Sequence, residues 1–358
     1  MSPSISGFGR YAAIIAVVVL AGCANLGYYT KSVSGHLEIW GKQRPITQLI
    51  DDPAISPDLK DKLAAVLSIR EFASRELFLP DNQSYRTYAD IKRAYAVWTV
   101  YAAPRLSTQL QEWCFPIAGC VFYRGYYSES AAQRFAAELQ TQGFDIFVGR
   151  ALAYSTLGKL TDPVLNTFVN YPQTEITKLL FHELAHQVVY IPNDTTFNES
   201  FATTVELEGT RRWLEQHGSE KLRQNYHETD RRKIAFVELI TRYREKLDAL
   251  YAANTTDDDK FQGKMRLFEE LKADHARLKL DWGGYNGYDR WLADNPNNAM
   301  LASVVAYNQL QPAFQALLVQ LGGDLPSFYE AVKQIGKLPK DERLARLRSI
   351  SMQTVGIE

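Results

Sequence analysis

Residues 175–203 read EITKLLFHELAHQVVYIPNDTTFNESFAT, and the fold turns on how this stretch is arranged. Its first half carries apolar residues at helical spacing and is stopped by Pro192, which predicts a helix over 175–191. His182 and His186 stand four residues apart, so a helix puts both imidazoles on one face, within reach of one ion. Glu183 sits one step round, placed to point at a water on that ion. Leu179, Leu180, Phe181, Val188 and Val189 would bury this helix. Two histidines carried into an apolar interior need polar partners, and a metal is one.

A mononuclear catalytic zinc site needs a third protein ligand and an open fourth position. No histidine follows at the close spacing of the metzincin pattern. Glu199, in the segment NESFAT, opens a second helix predicted over 197–216 and ending at His217-Gly218. Twelve residues separate it from His186, enough for the chain to reverse and present the carboxylate to the histidines. Thr196-Phe197-Asn198-Glu199 also fits a capping box, in which the glutamate bonds only backbone. Glu206, seven residues on and on the same face, is the alternative ligand. Thr203 is placed to support a ligand by a hydrogen bond.

The chain has 358 residues, 46% apolar and 23% charged, an ordinary globular composition that excludes disordered and collagen-like classes. Forty basic residues against 41 acidic ones give a net charge of −1, so no basic excess exists for nucleic acid. Tyr11–Leu20 is an apolar run of about ten residues, too short for a permanent span. It leads into Leu20-Ala21-Gly22-Cys23, which resembles a bacterial lipobox. That reading makes 1–22 a signal peptide and Cys23 an acylated anchor. It makes 23–35 a tether and 36–358 one zinc metallopeptidase domain. Ala24 after the cysteine points to the outer membrane, with the domain facing the periplasm. Cys114 and Cys120 in WCFPIAGC are expected to form a structural disulfide, since an exported chain meets an oxidising compartment.

Elsewhere, PDLKDKLAAVLSIREFASREL (57–77) and ADIKRAYAVWTVYAA (89–103) are expected as helices. Residues 112–127 and 144–161 are expected as strands flanking a helix closed by Gly143. The charge-rich segment 219–280 reads as a long helical hairpin divided at NTTDDDK. Asn297-Asn298 reads as a cap before an apolar helical stretch. The remaining histidines, His36, His217, His227 and His275, are isolated. The fold expected is α+β and mainly helical, with a small β-sheet beside a pair of zinc-binding helices.

HELAH followed by NESFAT is similar to the gluzincin metallopeptidases, and NESFAT resembles the NEGFAT-type segment of aminopeptidase N-like enzymes. The gap to Glu199 is shorter than theirs, so their large catalytic domain is not implied. A closer resemblance is to a family of bacterial lipoproteins named as aminopeptidases on the strength of the zinc motif. It rests on the lipobox, WCFPIAGCVFYRGYYSE, AYSTLGKLTDPVL, FHELAHQ with FNESFAT, and NNAMLASVVAY, and it covers nearly the whole mature chain. It implies Zn²⁺, a peptide substrate, and Glu183 as general base. By analogy with gluzincins, a tyrosine or histidine stabilises the oxyanion; Tyr307 and Tyr154 are the first candidates, then Tyr123 and Tyr126. Glu129 lies upstream, where aminopeptidase N-like enzymes hold the substrate amine; a helix-start residue favoured by the dipole is the competing reading. A peptide would lie extended against FDIFVGRALAYSTLG (144–158). Endopeptidase action, cleavage of a peptidoglycan peptide and a non-catalytic lipoprotein with structural zinc are the competing functions.

Overall fold

The computed structural model describes residues 27–116, 118–293 and 296–355. The expected signal peptide and Cys23 lie outside the described residues. Residues 27–41 are helical, so the stretch expected as a tether is a helix from residue 27 onward. Its inner face is packed. Ile39 is fully buried, and Gly35 sits so close to the Tyr127 ring that a Cβ there would fall 2.5 Å from it.

Helix Pro57–Arg75 forms as expected. The Ser56 side chain accepts from Leu59 N–H, Pro57 starts the first turn, and Asp58 lies favourably at the positive end of the dipole. Its face Leu63, Val66, Ile69, Phe72 and Ala73 joins the main core. The segment 89–103 differs from expectation. It is not helical: bends over 92–96 lead into strand Val97–Pro104 at the centre of a three-stranded sheet. Both faces of this strand are covered. Trp98, Val100 and Ala102 meet helix Glu129–Thr141, while Tyr101 and Ala103 meet Ala299 and Tyr307. A strand buried on both sides shows no polar alternation, so its apolar run reads equally well as helix.

The sheet is antiparallel, with Val97–Pro104 between Arg124–Tyr126 and Phe144–Ala151. Tyr101 lies opposite Phe147 and Val97 opposite Ala151. Phe144–Ala151 is thus an outer strand. A two-stranded hairpin, Trp113–Phe115 with Gly119–Val121, carries the Cys114–Cys120 disulfide. A second small sheet joins Arg44–Pro45, Thr87–Ala89 and Val164–Leu165.

The predicted hairpin is present as helices Glu220–Ala252 and Asp257–Asp281, with Ser219 and Thr256 capping the two starts. Phe236, Leu239, Ile240 and Leu247 pack with Phe268 and Leu271 and with Met300, Leu301 and Val305 of helix Asn298–Asn308. Asn297 caps that helix by accepting from Met300 N–H. A separate helix, Gln311–Gln320, follows with Pro312 in its first turn. Helices Leu325–Gly336 and Lys340–Val355 complete the fold. The architecture is α+β and mainly helical.

Candidate metal centre

The motif lies on helix Gln173–Ala185, which packs directly on helix Thr195–His217. The first helix ends before the expected residue 191, and His186 is its C-cap. His186 keeps helical dihedrals (φ −59°, ψ −22°), so its ring stays on the His182 side. The chain then turns through Asn193, at φ +69°.

Two devices set where the second helix begins. Asp194, 4% exposed, accepts from Phe197 N–H and pairs with the buried Arg343 at 2.8 Å. Asn198 clamps the turn with two 2.8 Å bonds: its amide donates to Ile191 O and its Oδ1 accepts from Ile191 N–H. With Asp194 as the cap, Glu199 lies beyond the position a capping-box glutamate occupies. Its carboxylate is free to face the histidines.

Glu199 Oε2 lies 3.2 Å from His182 Nε2 and 3.7 Å from His186 Nε2. His182, His186 and Glu199 each offer a ligand atom, and these atoms lie within 4.8 Å of one another. Glu206 meets the other side of the same ring, its Oε2 3.1 Å from His182 Nδ1. Two carboxylates seven residues apart therefore straddle one imidazole. When Nδ1–H donates to Glu206, the Nε2 lone pair points into the three-donor cluster. Glu206 therefore meets His182 from behind and stands outside the three-donor group, unlike the alternative ligand expected. Thr203 is buried on the same helix.

The electrostatics match a site built for positive charge. Burial alone would drive His182 neutral, but hydrogen bonds and charge from Glu199 and Glu206 outweigh it and raise its pKa to about 10. Burial likewise opposes ionisation of Glu199, yet His186 and His182 hold its pKa down at about 2. Glu183 goes the other way: burial raises its pKa, with Glu199 and Glu206 adding repulsion. Two imidazole nitrogens and one carboxylate oxygen are the donor set of a zinc site with an open position, so these residues fit that ion.

His182, Glu183, His186 and Glu199 all line a cavity of about 600 Å³. The outer strand supplies one wall through Phe147 and Gly149, where a side chain would collide with Thr99 Oγ1. The hairpin and the segment after it supply Phe236, Val237, Tyr288 and Trp291. Ala118 and Val121 come from the disulfide hairpin, and Tyr190 O–H donates to Ala118 O at 2.8 Å.

The expected auxiliary residues are placed differently from one another. Tyr307 lines the cavity with its hydroxyl 3.1 Å from that of Tyr101, and Tyr123 lines it too. Burial, followed by the Glu199 charge, pushes the Tyr307 pKa well above the ordinary value. Tyr154 also lines the cavity, but its hydroxyl lies 2.9 Å from His36 Nδ1. Tyr126 lies on the sheet and is not among the cavity residues. Glu129 is exposed in the first turn of helix Glu129–Thr141, and the structure does not bring it to the cavity. Of the other histidines, His217 stacks on Trp213 and His275 packs near Phe236 and Trp282.

A family model described as "Putative aminopeptidase" matches residues 27–347. No curated protein and no solved structure matches the chain.

Proposed function

The chain belongs to the putative aminopeptidase family, and on that premise we propose that it is a zinc-dependent peptidase. The observation that carries this reading is the convergence of His182, His186 and Glu199, with Glu206 behind His182 and Glu183 in the same cavity. A zinc ion bound there supplies Lewis-acid polarisation of the scissile carbonyl and a water of pKa about 7. Glu183 takes the proton of the attacking water and delivers it to the leaving amine nitrogen. Burial raises its pKa, the direction that helps a carboxylate hold the proton it has taken. Tyr307 donates to the developing oxyanion, and its suppressed ionisation keeps that proton on the phenol. The peptide lies along the outer strand Phe144–Ala151, its side chains against the aromatic wall. The apolar run and Cys23 support export and lipid anchoring in the bacterial envelope, the domain facing the periplasm.

One observation favours a second reading. Among the described cavity residues the carboxylates are Glu183 and Glu199, and both are engaged in the chemistry above. With Glu129 elsewhere, no further carboxylate stands among the described cavity residues for a substrate ammonium. This favours cleavage within peptides, including a peptidoglycan peptide, over removal of single N-terminal residues. An intact Glu183 argues against a non-catalytic lipoprotein with structural zinc, since such a site needs no general base. Digestion of a peptide library with free and N-acetylated termini separates these readings. Cleavage of free termini alone marks an aminopeptidase, and cleavage of both marks an endopeptidase. No cleavage by metal-loaded protein overturns the peptidase reading.

A further inference from the structure

The helix over 27–41 uses its inner face fully. Gly35 and Ile39 are buried, and His36 meets Tyr154 of the cavity wall. Its outer face carries a second apolar stripe. Tyr29, Val33, Leu37 and Trp40 are 39%, 58%, 53% and 55% exposed. Their spacing of four, four and three residues aligns them along about three turns of one helix face. Single exposed apolar side chains are ordinary, but four large ones in one stripe call for an occupant. Lys31, Ser34 and Glu38 occupy the neighbouring exposed sector.

The chain ahead of the helix identifies that occupant. Cys23 stands six residues before Tyr29, so an acyl group on its sulfur lies no more than about 20 Å from the stripe along the chain. Tyr and Trp near the two ends of the stripe are the side chains favoured at the boundary of headgroup and acyl chain. We propose that this helix lies in the plane of a phospholipid surface, with Tyr29, Val33, Leu37 and Trp40 inserted at that boundary. It forms an apolar contact additional to the anchor, which orients the domain on the surface. Because His36 on this helix touches Tyr154, the docked helix seats one wall of the catalytic cavity beside the bilayer. The proposal takes the Cys23 anchor of the preceding reading as its premise, and the test below separates the two.

The mature chain carrying Cys23→Ser cannot be acylated. We expect it to partition onto vesicles of phosphatidylethanolamine and phosphatidylglycerol, and to remain bound at 0.5 M salt because the contact is apolar. Brominated lipid should quench its tryptophan fluorescence, with the quenching lost in an added Trp40→Phe change. The triple variant Val33→Ser, Leu37→Ser, Trp40→Ser should lower partitioning by about tenfold or more, while circular dichroism and bound zinc stay unchanged. Milder single changes at Val33 and Leu37 serve if the triple variant misfolds, each expected to lower partitioning in part. Absence of partitioning by the Cys23→Ser chain overturns the proposal. So does equal partitioning by a folded triple variant, or a micromolar dimer that the variant dissociates, since a second copy would then be the occupant. Mass spectrometry of Cys23 in the native chain tests the anchor independently. An unmodified cysteine with partitioning intact removes the anchor and leaves the helix contact standing.

Discussion

His182 Nδ1 lies 3.1 Å from Glu206 Oε2, while the opposite nitrogen of the same ring faces Glu199. With Nδ1 turned to Glu206, Nε2 is the nitrogen of His182 that faces His186 and Glu199, and on the proposed reading Glu206 supports the centre without being a ligand. Glu206→Gln and Glu206→Ala should each weaken zinc binding by about ten- to a hundredfold. Competition with a chromophoric chelator measures this. Unchanged affinity in both variants would show that His182 is oriented by something else.

The charge arrangement predicts how the metal-free protein responds to pH. The His182 pKa is raised from 6.5 to about 10, so its contribution to stability is fully present below pH 6.5 and is lost as pH climbs through 10. The Glu199 pKa is lowered from 4.5 to about 2, so its contribution is present above pH 4.5 and is lost as pH falls through 2. The melting temperature of chelator-treated protein should therefore fall between pH 6.5 and 10. Zinc must displace the proton from His182. At pH 8, calorimetry in buffers of different ionisation enthalpy should show about one proton released per ion bound. A flat alkaline limb with no proton release would contradict the assignment.

Tyr307→Phe removes the hydroxyl beside Tyr101 and leaves the three candidate ligands untouched. The expected loss is about a hundredfold in kcat with zinc content unchanged. A change of only a few fold would make the Tyr101–Tyr307 pair a packing feature of the wall.

Much of this centre is legible in the sequence because it rests on local spacing. The four-residue step from His182 to His186 fixes their shared face, and the turn IPNDTT returns the chain to them. The role of Glu206 is not legible in this way. Seven-residue spacing shows that it shares a face with Glu199, but which ring nitrogen it meets depends on how the two helices pack. The Asn198 clamp and the Asp194–Arg343 pair are hidden for the same reason, since Ile191 and Arg343 become partners only in the fold. Strand Val97–Pro104 reads as helix because both its faces are buried, and the helix from residue 27 is masked by small and polar residues.

The Cys114–Cys120 bridge closes a short loop whose Ala118 carbonyl accepts from Tyr190 beside the centre. Replacing both cysteines with serine should cost about 2 kcal/mol by the chain-entropy account, read as a fall of a few degrees in melting temperature. Unchanged stability would show that the hairpin holds the loop without the bridge.

The most direct test combines metal content and hydrolysis in one pair of variants. Wild-type protein should hold about one zinc per chain. Glu183→Gln should keep that zinc and lose peptide hydrolysis, whereas His186→Ala should lose both. Full zinc occupancy in the double change His182→Ala, His186→Ala, or undiminished hydrolysis by Glu183→Gln, would contradict the account.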